Sequence, residues 1–334
     1  MNWVRERASL LAVVAAGGAL IVVVPAVAEI FLLFELTLFL VLAILALSLA
    51  WVWGFGGILC FGQSVFFGLG GYTYAIAVIN MGDSTVPLML GILLPALLAG
   101  ILGYFLFWQR ISDVYLAVIT LAVSLIFYYL TGASAGSEYR IGSALLGGYN
   151  GIPSVPPINV PGVPEHQVVY GDLYVLTAVM LAVVYGGLRW LLATDFGRVV
   201  VAVRENEERA QLLGYDVRIT KLTVFVIGGA IAGLSGVLFA AWGSYVSPNV
   251  FSMTFTAQII VWVLVGGLGT LSGAVVGCVL VQAVMTWLGE AKLADTNLVL
   301  GAAFVVLVLF ARRGLVPGTR SLLADLRGRV RSAP

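Results

Sequence analysis

Residue types that carry enzyme chemistry are scarce in this sequence, and none is spaced for catalysis. His166 is the single histidine, which excludes a Ser-His-Asp triad and a histidine metal cluster as the main chemistry. Cys60 and Cys278 lie in apolar segments without metal-ligand spacing. Neither lysine, Lys221 or Lys292, belongs to a G-x-x-x-x-G-K-[ST] phosphate loop. We therefore expect no cofactor, and any ATPase must be a separate chain.

The densest charge lies in residues 195–217 of a chain that otherwise has little charge. Glu205 and Arg209 are four residues apart, which would allow pairing on one helix face. Glu207-Glu208 suits a first helical turn, and Gly214 suits a left-handed C-cap. We expect a short surface helix that ends at Gly214 and binds a partner, with a merely solvated loop as the alternative. The candidate partner-binding residues are Arg204, Glu205, Asn206, Glu208, Arg209, Ala210 and Gly214.

Two glycine-rich segments, residues 54–72 and 266–273, interrupt apolar sequence. Glycine lets helices approach closely, and it lets backbone bend where it lines a cavity. One interpretation is a pathway with phenylalanine as a barrier, and the alternative is plain helix packing. The second segment predicts either a re-entrant hairpin or a tight turn. The candidate pathway residues are Phe61, Gly62, Gln63, Ser64, Phe66, Phe67, Gly266 and Gly267.

The elements that must position these residues are membrane helices. Of the 334 residues, 61% are hydrophobic and only 10% are charged, with a mean hydropathy of +1.08. Soluble domains contain about 25% charged residues, so a soluble enzyme is excluded. About 20 apolar residues cross a bilayer as a helix. The sequence has ten such runs, some of them short: residues 10–27, 30–53, 63–79, 86–108, 114–131, 173–192, 222–242, 254–268, 271–288 and 298–310.

Lysine and arginine accumulate on the cytoplasmic side of membrane proteins, and their placement orients the ten runs. If the N-terminus is cytoplasmic, 15 of the 17 basic residues lie inside, and only Arg140 and Lys292 lie outside. This segregation predicts a multi-pass protein of the cell's inner (plasma) membrane with both termini cytoplasmic. No basic domain for binding nucleic acid is present.

The N-terminus allows a second interpretation. Arg5 and Arg7, an apolar run and Ala26-Val27-Ala28 are typical of a cleavable secretory signal. Cleavage near residue 28 would leave nine crossings and would not change the later topology. The run is long for a signal, and another spanning run follows at once.

The predicted organisation is an all-α polytopic membrane protein of about ten helices, some short or broken by glycine. Its parts are a first transmembrane helix or N-terminal anchor (1–29), helices 2–5 (30–131), a periplasmic Pro/Gly-rich loop (132–172), helix 6 (173–192), a cytoplasmic coupling loop (193–221), helices 7–10 (222–313) and a cytoplasmic basic tail (314–334).

Ionisable residues are almost absent from the apolar runs. Glu35 lies near the outer end of the second run, and Asp113 lies at an inner edge. No relay of Asp, Glu and His crosses the bilayer, which argues against proton-coupled transport. A sodium-coupled carrier stays open, because carbonyls of broken helices can ligate that ion.

Six segments resemble, at the corresponding topological places, the permeases of ABC importers for branched-chain amino acids. Glu208-Arg209-Ala210-x-x-x-Gly214 resembles the Glu-Ala-Ala-x-x-x-Gly loop of ABC importer permeases. The string 197–215 is similar to the cytoplasmic loop of the branched-chain amino acid permeases. The resemblance spans about residues 35–311. The other similar segments are 57–72, 113–122, 147–152 with Pro156-Pro157, 245–248 and 266–273.

The resemblance implies an ABC importer permease fold, one half of a pore in the lipid bilayer. It implies a paired permease subunit, two ATP-binding subunits and a periplasmic substrate-binding protein. The charged loop would then be the coupling helix that docks on the ATPase, with polar contacts from Glu205, Glu208 and Arg209. The sequence departs from the pattern at Gln63, where the family often has His, and at Arg209, where a small residue is common.

We therefore expect a non-enzymatic permease subunit of an ATP-driven importer for branched-chain amino acids. A urea or amide permease of the same family is the first alternative, because it shares much of the pattern. An ion-coupled secondary carrier that works alone is the second. A membrane enzyme lacks a convincing catalytic cluster.

Overall fold

The computed structural model describes residues 24–25, 27–109, 111–161, 163–291 and 301. Three predicted parts lie mostly or wholly outside the described residues: most of the N-terminal anchor (1–29), most of the tenth run (298–310) and the whole basic tail (314–334). Arg110 and Lys292 also lie outside them. Cleavage after residue 28 is likewise not tested.

The described chain is mainly helical, and its apolar runs form long helices. Seven helical segments are long and apolar enough to cross a membrane within the described ranges. The helices are α1 (Ile30–Leu49), α2 (Gln63–Met81), α3 (Thr85–Trp108), α4 (Asp113–Ala133), α5 (Gly171–Ala193), α6 (Asp195–Glu205), α7 (Glu207–Leu212), α8 (Val217–Gly243), α9 (Met253–Gly266) and α10 (Leu271–Ala291). The architecture confirms a polytopic helical membrane protein, while the count of ten crossings stays a prediction.

Two helices differ from the predicted runs. The second run continues beyond α1 as a π-helix, Ala50–Phe55, so the helix geometry changes at its inner end. The seventh run begins at Val217 rather than 222, because Asp216 caps α8 by accepting from the backbone N–H groups of Arg218 and Ile219. This first turn contains charged side chains, which lower its hydropathy, so the apolar run alone does not show that the helix begins there.

Helix α9 is too short to cross the whole hydrocarbon layer. Its 14 residues extend about 21 Å, whereas the layer is about 30 Å thick. The short 3₁₀ helix Pro248–Phe251 precedes it and is largely buried. The rest of the predicted crossing is therefore left to this 3₁₀ helix and the chain beside it, which pack against protein as broken helices require.

Helix α8 occupies the centre of the bundle and packs on α1, α2 and α3. Glycines allow the close approach: a Cβ on Gly70 of α2 would lie 2.3 Å from the Gly233 carbonyl oxygen of α8. A Cβ on Gly233 would lie 2.6 Å from the carbonyl oxygen of Gly91 of α3. Backbone therefore lies directly on backbone where the three helices meet.

Side-chain hydrogen bonds also fix α1 against α8. The Trp51 indole N–H donates to the Val224 carbonyl at 3.0 Å, and the Ser235 hydroxyl donates to the Val41 carbonyl at 2.7 Å. Near the outer end, the Trp242 indole N–H donates to the Phe34 carbonyl at 2.8 Å. These bonds satisfy polar groups at three depths of an apolar interface.

Residues between α4 and α5 form a cap of short antiparallel strands and turns, which is called the outer cap because the predicted orientation places it outside. The strands are β1 (Arg140–Ile141), β2 (Ala144–Leu145), β3 (Ile152–Pro153), β4 (Asn159–Val160), β5 (Val163–Gln167) and, after α8, β6 (Tyr245–Val246). They pair as β1 with β2, β4 with β5, and β3 with β6. The Pro-rich composition predicted a non-helical segment, which is confirmed; the pairing of the cap with residues after α8 was not predicted.

The outer cap is fastened to the turn between α2 and α3. The Asn159 amide Nδ2 donates to Asp83 Oδ1 at 2.7 Å, and the Ser84 backbone N–H donates to Asn159 Oδ1 at 2.7 Å. The Asn159 donor, aided by Thr85, lowers the pKa of Asp83 below its ordinary value of 3.8. The charged carboxylate is thus the form that holds the cap.

Contacts between loops divide the helix ends into two groups. In one group Arg204 contacts Gly54, whereas in the other Asn80 and Asp83 contact the outer cap. This division agrees with the alternation of sides predicted from the basic residues.

Candidate coupling and translocation sites

The charged loop folds as two short helices, α6 and α7, each started by a side-chain cap. The Thr194 hydroxyl accepts from the Gly197 backbone N–H at 3.3 Å at the start of α6. The Asn206 side chain accepts from the Arg209 backbone N–H at 2.8 Å at the start of α7. Such caps satisfy backbone donors that a helix start leaves free, so the two helices have defined ends.

The predicted pairing of Glu205 with Arg209 on one helix face is wrong. Asn206 is extended, with φ −162° and ψ 104°, so the two residues belong to different helices. Glu205 instead forms an ion pair with Arg204. The prediction failed because an Asn that caps a following helix must leave helical geometry itself. The predicted place of Glu207 and Glu208 in a first helical turn is confirmed.

Gly214 ends α7 in the left-handed conformation that the sequence predicted, with φ +89°. The Tyr215 N–H donates to the Ala210 carbonyl at 3.2 Å, and the Gly214 N–H donates to the Gln211 carbonyl at 2.9 Å. This pair of bonds is a Schellman motif. Ala210 is buried against Val203 and Val217, which anchors α7 to its neighbours.

Two apolar residues at the end of α7 were missed by the sequence interpretation. Leu212 is 88% exposed and Leu213 is 70% exposed. Glu208 and Arg209 are also exposed on the same short helix. A pair of leucines inside a charged loop, directly before a left-handed glycine, is the signal that could have identified this apolar surface.

Arg204 and Glu208 lie differently from the other predicted partner-binding residues. The Arg204 guanidinium turns toward α1 and donates from Nη1 to the Gly54 carbonyl at 2.6 Å. Glu208 and Arg218 are among the residues that line a recess between α7, the α3–α4 turn and α8. The two short helices α6 and α7, with the turn to Gly214, form the candidate coupling segment. This coupling segment contacts the long helices of the bundle and also has exposed residues.

The predicted pathway residues at the start of α2 are brought together in the interior. Gln63 is 2% exposed and Ser64 is fully buried, while Phe61 is half-buried. Gln63 Nε2 donates to the Ser48 carbonyl at 3.4 Å, while its Oε1 has no hydrogen-bond partner among the described residues. The Phe61 backbone N–H donates to the Thr120 hydroxyl at 3.1 Å, which holds the non-helical chain before α2 against α4.

Three buried hydroxyls form a cluster that joins α2, α4 and α9. Ser64 Oγ lies 3.1 Å from Ser124 Oγ and 2.8 Å from Thr256 Oγ1. The sequence interpretation included Ser64 but missed Ser124 and Thr256. Their signal is weak, since each is one hydroxyl inside an apolar run.

Two of the three predicted barrier phenylalanines, Phe66 and Phe67, pack against other aromatic rings, while Phe61 lies before α2. Phe66 lies edge-on to Phe225 with ring centroids 5.4 Å apart, and Phe67 lies 5.2 Å from both Phe239 and Phe255. Both are 1% exposed. Gly62 is buried beside Thr120, where a Cβ would lie 2.9 Å from that side chain.

Gly266 and Gly267 lie elsewhere, at the inner turn between α9 and α10. A Cβ on Gly266 would lie 1.9 Å from the Gly273 carbonyl oxygen, and Gly267 has φ +113°. Of the two predicted forms for this segment, the structure has the tight turn. The turn brings α9 and α10 into close contact at their inner ends.

This arrangement, a bundle of long apolar helices with two capped, charged helices at one end, is that of a polytopic membrane protein. Over residues 31–311 the chain matches the family described as "Branched-chain amino acid transport system / permease component". The chain belongs to this family, and it is a permease subunit of an ABC importer rather than an enzyme.

Similar curated proteins agree with this membership. The "High-affinity branched-chain amino acid transport system permease protein LivM" of Escherichia coli is 29% identical over 322 residues, covering 86% of this chain and 70% of the relative. The probable LivM permease of Methanocaldococcus jannaschii is 31% identical over 237 residues, covering 66% and 65%. The probable LivH permease of that organism is 29% identical over 153 residues, covering 44% and 47%. No solved structure was found to match the chain.

Proposed function

We propose that this permease imports branched-chain amino acids through the cell's inner membrane. It would form one half of a pore with a related permease, above two separate ATP-binding subunits, and would receive substrate from a periplasmic binding protein. The names of the similar LivM and LivH proteins support the substrate and the pairing of two permeases. The chain itself would do no covalent chemistry.

The coupling segment is the observation that carries this proposal. Both helices begin at a side-chain cap, and α7 ends in a Schellman motif. A force applied to α7 should therefore move the two helices as a rigid unit rather than deform a flexible loop. We infer that the ATP-binding subunit docks on α7. The contacts would come from the exposed Leu212 and Leu213 and from the charged pair Glu208 and Arg209.

The proposed topology has ten crossings with both termini cytoplasmic. The seven long described helices supply seven of them, and α9 with its outer 3₁₀ helix supplies another. The first and tenth runs would complete the count. With this orientation α6 and α7 face the cytoplasm and the outer cap faces the periplasm, where a binding protein would dock.

The substrate pathway is proposed to run beside the start of α2. A zwitterionic amino acid needs polar groups to replace water, and the Ser64–Ser124–Thr256 cluster and the unpartnered Gln63 Oε1 supply them. The aliphatic side chain of the substrate would pass Phe66 and Phe67. These groups are packed on one another, so passage requires α2 to separate from α4 and α9.

A competition assay tests the substrate assignment. The complete complex, reconstituted in proteoliposomes with its binding protein, should take up labelled leucine, and excess isoleucine or valine should compete. Excess urea or acetamide should not compete. Uptake of labelled urea that leucine does not reduce would replace this substrate with that of a urea or amide permease.

A further inference from the structure

The side chain of Arg204 reaches from the coupling segment into the membrane bundle. It belongs to the last turn of α6, and its Nη1 donates to the Gly54 carbonyl at 2.6 Å. The Glu205 carboxylate accepts from Arg204 Nε at 3.2 Å and also contacts Nη2. The guanidinium is thus fixed between its neighbour on α6 and the backbone of another element. Hydrogen bonds from a charged donor are roughly twice as strong as neutral ones.

The acceptor belongs to the π-helix at the inner end of α1. The N–H groups of Gly56, Gly57 and Ile58 bond to carbonyls before Gly54, so they leave its carbonyl to Arg204. Gly54 is buried, and in such a place a carbonyl needs a partner. Single π-helical turns are frequent at functional sites.

The inner turn between α9 and α10 meets the same point. A Cβ on Gly54 would lie 2.9 Å from the Gly269 backbone nitrogen, and a Cβ on Gly269 would lie 3.5 Å from Arg204 Nη1. A Cβ on Gly57 would lie 2.8 Å from Arg204 Cγ. Backbone from two separate turns therefore lies beside the Arg204 side chain, which is 33% exposed.

We propose that Arg204 is a positioning residue that couples α6 and α7 to the inner end of the pathway. When the ATP-binding subunits move the coupling segment, the guanidinium carries the π-helix and the α9–α10 turn with it. This proposal rests on the proposed function, and it changes the expected role of Arg204. Its main partner is the Gly54 backbone of its own chain, whereas contacts with the ATPase fall to the exposed residues of α7.

Two arginine substitutions in the complete reconstituted complex test the proposal, with ATP hydrolysis and uptake measured on the same vesicles. Arg204→Ala should lower uptake per ATP hydrolysed about tenfold, within the usual range of coupling between sites. Hydrolysis and assembly with the ATP-binding subunits should persist. Arg204→Lys should restore part of the ratio, because its ammonium can still donate to Gly54. The matched control is Arg198→Ala on α6, whose exposed side chain pairs locally with Asp195 within the described part of the chain; it should transport normally.

A second variant perturbs the contact from the other side. Gly269→Ala adds a methyl group beside Arg204 at a positive φ of +82° and lies outside α6 and α7. Gly269→Ala should lower uptake per ATP hydrolysed in the same way. If Arg204→Ala does not fold, Gly269→Ala still tests whether this contact couples ATP hydrolysis to uptake. A label pair at Arg198→Cys and Leu268→Cys, both exposed positions outside the proposed docking surface of α7, gives a structural readout. Its distance should stay constant through the ATP cycle in native protein and should vary in Arg204→Ala.

Three results would overturn the proposal. One is a normal transport ratio in both Arg204→Ala and Gly269→Ala. Another is that the Arg204→Ala complex loses its ATP-binding subunits, which would show that Arg204 contacts the ATPase directly. The third is a label distance that already varies through the cycle in native protein. Failure of the proposed function is distinguishable, because the native complex itself would then show no ATP-dependent uptake.

Discussion

At the scale of single residues, the function depends on how a few polar groups and glycines end helices. Asn206, Gly214 and Asp216 set the corners of the coupling segment within eleven residues of sequence. The left-handed C-cap at Gly214 could be predicted from the sequence, because such a cap depends only on the neighbouring backbone. The Ser64–Thr256 contact joins residues 192 positions apart, and no local pattern in one sequence encodes such a pairing.

Gly214→Ala should weaken coupling without removing the protein from the membrane. The added Cβ meets nothing within 4 Å, so the effect is confined to strain at φ +89°. That strain costs about 1–2 kcal/mol. Gly214→Pro should be more severe because it also removes the N–H that bonds to Gln211. Both should uncouple ATP hydrolysis from uptake, measured together in proteoliposomes.

Glu208→Lys should uncouple the complex in the same assay, because it reverses a charge in the first turn of α7 and at the docking surface. Expression and membrane insertion of all three variants should match native protein. Normal transport rates in these variants would contradict the assignment of residues 207–214 as the coupling element.

At the scale of elements, the contact of α2 with α8 depends on the absence of side chains. A Cβ on Gly236 would lie 1.9 Å from the Phe67 carbonyl oxygen, with no flexible side chain to give way. Gly236→Ala should therefore destabilise the fold by about 1–3 kcal/mol through overpacking. The midpoint of thermal unfolding in detergent measures this loss of stability, and it should be lower for Gly236→Ala than for native protein.

The matched control lies on α5, where Gly186 is exposed and an added Cβ meets nothing within 4 Å. Gly186→Ala should leave the midpoint unchanged or raise it slightly, since glycine lowers helix stability by about 0.5–1 kcal/mol relative to alanine. If the two substitutions changed the midpoint of thermal unfolding equally, the change would come from helix propensity and not from the α2–α8 contact.

Element identity was largely predictable from the sequence, whereas element breaks were not. Long apolar runs such as α3 and α5 were predicted within a few residues, because hydrophobic length sets them. The π-helix after α1 and the division of the coupling loop at Asn206 were missed. The π-helix meets partners distant in sequence, Arg204 and Gly269, which one sequence does not reveal. The division follows from the Asn206 cap, a local signal that the sequence interpretation overlooked.

The attachment of the outer cap should depend on pH through Asp83. Because its pKa is lowered in the folded protein, the charged form stabilises the fold above pH 3.8, and this contribution is lost as pH falls through the lower folded value. The native midpoint of thermal unfolding should exceed that of Asp83→Asn between about pH 5 and 7. The difference should vanish in stronger acid. A difference that grows with acidification would contradict the Asp83–Asn159 contact.

At the scale of the whole molecule, the placement of charge distinguishes the inner surface from the bilayer. The described spans carry their ionisable residues near their ends, as with Glu35 of α1, Arg189 of α5 and Lys221 of α8. Charged residues are dense in α6 and α7, where a partner protein would dock. Hydropathy and basic-residue counts predicted this division, because membrane insertion itself imposes it.

Energy supplied by a separate ATPase is the central claim, and uptake of labelled leucine into proteoliposomes tests it most directly. Vesicles with this chain, the paired permease, the ATP-binding subunits and the binding protein should accumulate leucine only with internal ATP. Vesicles that contain this chain alone should show no uptake under a sodium or proton gradient. Gradient-driven uptake by the chain alone would contradict the account and would identify an ion-coupled carrier.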